Sequence, residues 1–244
     1  MYHTFIKEPI AFSIFRYSLK ITIAIALNDV IAKILFTIHY CLTYYITIDQ
    51  DHVEAYMKFI LASGSPRRKA LLTTIGVPIH LVSPANIVEQ RQLNELPLRY
   101  CQRLANEKSI AQSFENALVL AADTIVAKED MVFEKPIDDE DAFRILKTLQ
   151  GTWHEVITAW SLYDTKNQKI HKNHAISKVL FRPLTHNECV SYIQTGEGVD
   201  KAGGYGIQGV GAALISTIQG SYSNIVGLPI EQIAPVLKQY NLLG

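Results

Sequence analysis

Two adjacent arginines end the segment Ser63-Gly-Ser-Pro-Arg-Arg68. The segment follows an apolar run and opens a helix, where free backbone N–H groups and the helix dipole favour anions. Gly64 permits close approach of a ligand to the backbone, and guanidinium groups bind phosphate bidentately. The segment therefore predicts a phosphate site, with a solvated basic helix start as the alternative. It is not a Walker loop, because no Gly-Lys-Ser/Thr follows a four-residue gap.

Two charged residues stand in otherwise apolar patterns. Lys108 shares a helical face with Leu104 and Ala105, so its ammonium either points toward the core or a cleft, or snorkels at the edge of that face. Asp123 directly follows the apolar run 118–122, so we expect it at the end of a buried strand, where α/β folds often carry site residues. The alternatives for Asp123 are metal binding, activation of a water molecule and capping of a turn.

A glycine-rich segment runs from Gly196 to Gly227. Four glycines between positions 203 and 209 allow its backbone to pack closely against a ligand, which leaves Tyr205 and Gln208 as the side chains to read that ligand. A glycine-rich loop alone is not specific for a function. Glu89 and Lys135 are weaker signals, since charged loop residues are usually solvated.

The elements that must position these residues follow a mixed α/β pattern. Apolar runs and turn residues predict strands over 59–62, 117–122, 154–163 and 176–181. Capping residues and apolar periodicity predict helices over 65–76, 97–114, 138–151, 185–194 and 231–240.

The composition excludes some classes of protein. With 48% apolar and 19% charged residues in 244, the chain is typical of a globular protein. Its 23 basic and 23 acidic side chains give no net charge, which argues against a protein that coats nucleic acid. The three cysteines, Cys41, Cys101 and Cys189, fit neither a disulfide framework nor a zinc site, and indicate buried residues in a reducing compartment.

Residues 1–56 differ from the rest. The stretch 21–48 is apolar but contains Asp29 and Lys33, and its longest uncharged run, 34–48, is shorter than a membrane span of about 20 residues. No secretory signal pattern is present. Three alternatives stay open: an upstream extension that is not part of the functional protein, a membrane-associating segment, or an added helical layer. We expect the functional domain to begin at Met57.

From Met57 to the C-terminus, the chain resembles the Maf family of nucleotide pyrophosphatases. The pieces that carry the resemblance are Ala-Ser-Gly-Ser-Pro-Arg-Arg at 62–68, Ala-Asp-Thr at 122–124, Lys-Pro at 135–136, Asp-Lys-Ala-Gly at 200–203, Tyr-Gly-Ile-Gln-Gly at 205–209 and Gly-Ser-Tyr-Ser-Asn at 220–224. The resemblance implies an α/β fold related to the inosine triphosphate pyrophosphatases, with a mixed central sheet, flanking helices and two lobes around a cleft.

The resemblance also implies roles for individual residues. Asp123 corresponds to the catalytic carboxylate, usually written as the proton acceptor, and Glu89 and Asp123 correspond to the carboxylates near a divalent metal, Mg²⁺ or Mn²⁺. The positions that correspond to substrate-binding residues are Ser63, Arg67, Arg68, Lys108, Thr124, Lys135 and Gln208. Among them, Arg67, Thr124 and Gln208 match the positions that select the substrate.

The implied activity is hydrolysis of dTTP and UTP, including modified pyrimidine nucleotides, to the monophosphate and pyrophosphate. This is a cytoplasmic role in clearing the nucleotide pool. The Gln208 segment resembles the dTTP/UTP branch, although Gly204 stands where that branch more often has Ala. The alternatives are a 7-methyl-GTP pyrophosphatase and a non-enzymatic regulator of septum formation or cell division. We expect a nucleoside triphosphate as partner and neither nucleic acid nor membrane for residues 57–244. A homodimer is an alternative that the sequence does not decide.

Overall fold

The computed structural model describes residues 36–40 and 57–243. The chain divides into two compact units, Met1–Tyr56 and Met57–Gly244. In the first unit only residues 36–40 are described, and they are helical. Most of the 21–48 stretch, on which the three alternatives for this unit rest, lies outside the described residues. None of the described helices is long and apolar enough to cross a membrane.

A seven-stranded mixed sheet forms the centre of the second unit, in the order β2-β1-β3-β5-β6-β7 with β4 paired to β3. β1 runs parallel to β2 and β3, and the other pairs are antiparallel. The strands are β1 Lys58–Leu61, β2 Leu81–Val82, β3 Ala117–Lys128, β4 Met131–Phe133, β5 Trp153–Asp164, β6 Lys169–Phe181 and β7 Ile215–Gln219. The predicted mixed α/β class is confirmed.

Six α-helices flank the sheet: α1 Pro66–Thr74, α2 Pro97–Ile110, α3 Asp139–Leu149, α4 His186–Gln194, α5 Tyr222–Val226 and α6 Ile230–Gln239. Two of these helices begin with the expected side-chain caps, whereas α1 begins at Pro66 without a capping bond from the Ser65 side chain. Asp138 caps α3 by accepting from the backbone N–H of Asp141, and Thr185 forms a capping box with Glu188 at α4. Helix α2 ends four residues before the predicted position 114. The short elements β2, β4, β7 and α5 were not predicted.

The core lies on both faces of this sheet. Side chains alternate along a strand, so neighbouring residues of β3 face opposite helices. On one face, Leu118, Leu120 and Ala122 pack in a cluster with Leu72 of α1 and Leu237 of α6. On the other, Ile125 and Ala127 pack in a cluster with Tyr100, Cys101 and Leu104 of α2. Helix α2 thus covers the face that also carries Asp123.

Asp123 lies in the middle of β3, so the prediction that it ends a strand is wrong. The strand continues because β5 pairs with it throughout, with Asp123 opposite Ala159. On its other edge, β3 pairs with β1 up to Leu120 and with β4 only from Val126 onward. Residues 121–125 therefore face a gap between β1 and β4. The strand whose carboxyl end lies at this gap is β1.

Candidate active site

A cavity of about 850 Å³ opens at the edge of β3, at the gap between β1 and β4. It receives side chains from both faces of the sheet, because Asp123 and its neighbour Thr124 project to opposite sides. All nine residues predicted for the site line this one cavity: Ser63, Arg67, Arg68, Glu89, Lys108, Asp123, Thr124, Lys135 and Gln208. They come from five separate parts of the chain, namely the β1–α1 loop with α1, the segment before α2, α2 itself, the β3–β4 region and the glycine-rich segment.

Lys108 joins two carboxylates inside the cavity. Its Nζ lies 2.6 Å from Asp123 Oδ1 and 2.9 Å from Glu89 Oε1. Lys108 and Asp123 are buried, whereas the Glu89 side chain is half exposed. The alternative of a snorkelling lysine is thereby excluded, and the ammonium points into the cleft. The second oxygen of Asp123, Oδ2, has no hydrogen-bond partner among the described residues.

Arg68 is held by neutral oxygens rather than by a carboxylate. Its Nε donates to the carbonyl of Gly227 at 2.8 Å, Nη1 to Ser63 Oγ at 2.9 Å and Nη2 to Thr124 Oγ1 at 2.9 Å. Burial lowers the pKa of the guanidinium, and the nearby Asp123 carboxylate opposes that shift. These bonds hold the Arg68 guanidinium in one orientation, but their neutral oxygens do not neutralise its positive charge. This arrangement suits an anion site.

The Gly-Ser-Tyr-Ser-Asn segment explains the position of Gly227. Ser221 caps α5, and the buried Asn224 donates to the carbonyl of Val156 at 3.0 Å and to Ser177 Oγ at 2.8 Å. These bonds attach α5 to the sheet. The carbonyl of Gly227, directly after α5, then accepts from Arg68 across 159 positions of sequence.

Arg67 extends to the opposite side of the cavity. Its Nη1 lies 3.1 Å from Asp200 Oδ2, and Asp200 Oδ1 lies 2.6 Å from Lys201 Nζ. Partial burial works to raise the pKa of Asp200, but hydrogen bonds from Lys201 and Arg67 outweigh it and lower the pKa. Arg67 is partly exposed, so it can exchange this surface ion pair for a ligand at little cost.

Gln208 and Lys135 are exposed residues of the cavity wall. Tyr205, which we expected to read the ligand with Gln208, is buried instead. Its hydroxyl hydrogen-bonds His154 Nε2 at 2.7 Å, and its ring packs edge-on against Phe181. Burial raises the pKa of Tyr205 and lowers the pKa of His154 to about 4. Tyr205 therefore anchors the glycine-rich segment in the core.

The comparison with protein families places the cavity residues inside one known family domain. A family model described as Maf-like protein matches residues 58–240. This chain belongs to the Maf family. The matched range includes every residue of the cavity wall named above.

Two relatives of this Maf domain have the same name. A protein of Aquifex aeolicus named dTTP/UTP pyrophosphatase is 41% identical over 190 residues, which are 77% of this chain and 98% of the relative. One of Syntrophomonas wolfei with the same name is 43% identical over 179 residues, 72% of this chain and 94% of the relative. Among solved structures, a HAM1 protein from Coxiella burnetii matches with a TM-score of 0.46 and 13% identity, covering 75% of this chain and 99% of that one.

The two residues expected near a divalent metal, Glu89 and Asp123, are both oxygen donors of the cavity wall. Both carboxylates approach the Lys108 ammonium, so they already face one cationic position. Within residues 36–40 and 57–243, no three side chains of His, Cys, Asp or Glu form a ready cluster for a metal ion. Mg²⁺ typically uses one or two carboxylates and completes its shell with water and substrate phosphates. The donor set therefore fits Mg²⁺ or Mn²⁺ and does not fit a structural zinc ion.

Two acidic residues of the cavity were missed from the sequence. Glu134 accepts from the Tyr100 hydroxyl at 3.0 Å, and Glu197 accepts from backbone N–H groups of the glycine-rich segment. Glu134 directly precedes Lys135 in sequence, which was the available signal for it. Glu197 lies within the glycine-rich segment but outside the motifs that were recognised there.

Proposed function

We propose that this Maf domain is a nucleoside triphosphate pyrophosphatase that hydrolyses dTTP and UTP to the monophosphate and pyrophosphate. The observation that carries the proposal is the arrangement of four cationic side chains and one buried carboxylate around a single cavity. Relatives that share at least 41% of their residues with the chain are named dTTP/UTP pyrophosphatases, which supports both the activity and the pyrimidine preference.

In the proposed reaction, water attacks the α-phosphorus. A new P–O bond forms there, the bond between the α-phosphorus and the bridging oxygen breaks, and pyrophosphate leaves with that oxygen. The proton lost by the water goes to a base. Negative charge accumulates on the leaving pyrophosphate, so preorganised cations accelerate the step more than they strengthen substrate binding. The residues in position for this are Arg67, Arg68, Lys108 and Lys135.

Asp123 has two candidate roles, as the base that accepts the proton and as an anchor for the metal. Its Oδ1 is engaged by Lys108, whereas Oδ2 is without a protein partner among the described residues. That oxygen can accept a proton from water or bind a divalent ion. When bound, Mg²⁺ or Mn²⁺ would be held by Glu89 and Asp123 and would supply charge neutralisation at the phosphates.

Base selection is assigned to the exposed part of the glycine-rich segment. Gln208 offers an amide that both donates and accepts, which matches the edge of a pyrimidine. Thr124, predicted to select the substrate, has its hydroxyl engaged by Arg68 and by Thr158. We infer that Thr124 acts by holding Arg68. A 7-methyl-GTP pyrophosphatase remains the alternative within the same chemistry.

A purely regulatory role in septum formation is disfavoured by the same geometry. A scaffold protein has no need for Arg67, Arg68 and Lys108 to meet a buried carboxylate in one cavity. The buried free cysteines Cys101 and Cys189 suit a reducing compartment, which supports a cytoplasmic role in the nucleotide pool. On this proposal the partner is a nucleoside triphosphate, and neither nucleic acid nor a membrane is needed by residues 57–244.

The test is a panel of nucleotides assayed for pyrophosphate release with Mg²⁺ or Mn²⁺. It includes dTTP, UTP, dCTP, dGTP, ATP, 7-methyl-GTP and 5-substituted pyrimidine triphosphates. We expect dTTP and UTP to have the highest kcat/KM, and the products to be monophosphate and pyrophosphate rather than diphosphate and phosphate. Release of phosphate alone, or no turnover of any member, contradicts the proposal.

A further inference from the structure

Glu197 binds one end of the loop that carries Gln208 directly, and it contacts the other end through the Tyr192 hydroxyl. Its Oε2 accepts from the backbone N–H of Val210 at 2.6 Å, and its Oε1 accepts from that of Gly211 at 2.9 Å. The Tyr192 hydroxyl donates to Oε1 at 3.2 Å and accepts from the N–H of Gly206 at 3.2 Å. The Glu197 carboxylate thus binds residues 210–211 directly and residue 206 through Tyr192, and Gln208 lies in the turn between them.

The glycines of this loop are explained by the same carboxylate. A Cβ at Gly209 would lie 2.1 Å from Glu197 Oε2, and a Cβ at Gly211 would lie 3.0 Å from Oε1 and 2.4 Å from the carbonyl oxygen of Gly206. The three atoms nearest to a Cβ at position 209 all belong to the Glu197 carboxylate group. The backbone is therefore built closely around the carboxylate, and its shape depends on it.

Glu197 lines the cavity, yet its carboxylate does not have the environment of a metal ligand. Both oxygens already accept hydrogen bonds from protein groups, and the ion pairs of Lys108 are with Glu89 and Asp123 instead. A carboxylate on backbone N–H groups forms charge-assisted bonds, which are stronger than neutral ones. Such bonds suit a group that keeps a loop in one conformation when a ligand binds.

We propose that Glu197 is a positioning residue for base selection, and that it acts by holding the 206–211 loop so that Gln208 faces the nucleobase. The inference rests on the proposed pyrophosphatase function. Phosphate binding is assigned to other side chains, so loss of Glu197 affects discrimination between bases more than it affects the hydrolytic step.

Glu197→Gln is the decisive variant. It keeps the shape, but its amide presents N–H groups where the loop also presents N–H groups, so at least one of the two backbone bonds is lost. The quantity to measure is the ratio of kcat/KM for dTTP to that for dGTP. We expect this ratio to fall about tenfold or more, as for loss of a hydrogen bond to a charged group, with kcat for dTTP changing less than KM. Glu197→Asp, which keeps the charge, should restore part of the ratio.

A double-mutant cycle separates positioning from general damage. In a Gln208→Ala background, Glu197→Gln should change the dTTP-to-dGTP ratio less than about twofold, because the two residues act through one loop. Glu188→Gln is the matched control: Glu188 also accepts from a backbone N–H, at the start of α4, but does not line the cavity. We expect it to leave the ratio unchanged.

Two further measurements test the role of Glu197 independently of the proposed pyrophosphatase activity. Hydrogen exchange should accelerate at the Val210 and Gly211 amides in Glu197→Gln, and calorimetric Kd values supply the base ratio without turnover. An inactive wild-type protein would count against the pyrophosphatase proposal alone. Unchanged exchange in the 206–211 loop, or an equal effect of Glu197→Gln with and without Gln208, would overturn the role of Glu197.

Discussion

The Lys108 ammonium lies 2.6 Å from Asp123 Oδ1, which makes a buried ion pair in the wall of the cavity. The two residues come from α2 and β3, and a third group, Glu89, approaches the same ammonium from the loop before α2. Removing one member of a buried pair leaves an uncompensated charge, so we expect a substitution of either residue to lower stability in addition to any effect on activity. The predictions below separate these contributions.

Asp123→Asn should abolish turnover while the protein remains folded. Asparagine preserves the shape but cannot accept the proton and binds hard cations poorly. Loss of a general base lowers kcat by about 10²–10⁴. If Asp123 is the base, excess metal does not restore activity, whereas if it anchors the metal, raising Mn²⁺ recovers part of the rate. Asp130→Asn, on the exposed turn after β3, is the control. Wild-type turnover in a folded Asp123→Asn protein excludes the assignment.

Lys108→Met should lower the free energy of unfolding by about 3 kcal/mol, because it leaves the buried Asp123 carboxylate beside Glu89 without the ammonium. A divalent cation should then replace the missing charge. We expect Mg²⁺, compared with EDTA, to raise the thermal midpoint more in Lys108→Met than in wild type. Lys147→Met, at an exposed position of α3, is the control. An equal response to Mg²⁺ in both proteins would show that the carboxylates do not form a cation site.

Arg67→Ala should lower kcat/KM by about 10²–10³, through both kcat and KM, because its pair with phosphate strengthens as charge develops on the leaving group. Its stability should change little, since its pair with Asp200 is partly exposed. Lys69→Ala removes an exposed charge two positions later on the same helix and serves as the control. If the kinetic constants of Arg67→Ala equal those of wild type, Arg67 is a solvated residue of the helix start and not a substrate-binding residue.

The buried His154 predicts a loss of stability in acid. Its pKa is lowered to about 4 in the folded state, from an ordinary value of 6.5. The unfolded chain therefore binds more protons between these values, and stability falls as pH decreases through this window by about 3 kcal/mol in total. His154→Gln should weaken the pH dependence of the free energy of unfolding between pH 6.5 and 4. This free energy is measured by denaturant unfolding at each pH. His186→Gln, with an exposed ring, should keep the wild-type slope, and a wild-type slope in His154→Gln would contradict the prediction.

Residues 57–244 should fold and retain activity without residues 1–56, because every residue of the cavity wall lies in that range. The fragment and the full chain are compared by thermal midpoint and by pyrophosphate release from dTTP. Equal kcat/KM is expected. An insoluble or inactive fragment beside an active full chain would assign a structural role to the first 56 residues.

Local signals in the sequence determined much of this domain. Caps and periodicity predicted α1, α3 and α4, because these depend on residues within one or two turns. The residue types expected in a phosphate site could also be recognised in the sequence, because only some side chains can bind phosphate and neutralise its charge. Those side chains include Arg67, Arg68 and Asp123.

Long-range pairing decided the rest. The gap beside β3 exists because β1 and β4 cover different parts of one edge of the strand. Pairing with β5 along the other edge continues the strand through Asp123, where the sequence predicted a strand end. Burial of Tyr205 depends on His154 and Phe181, and the bonds of Glu197 depend on a loop 13 or more positions away. Neither contact has a local signature, because hydrogen bonding and burial are set by whichever distant residues the sheet brings into contact.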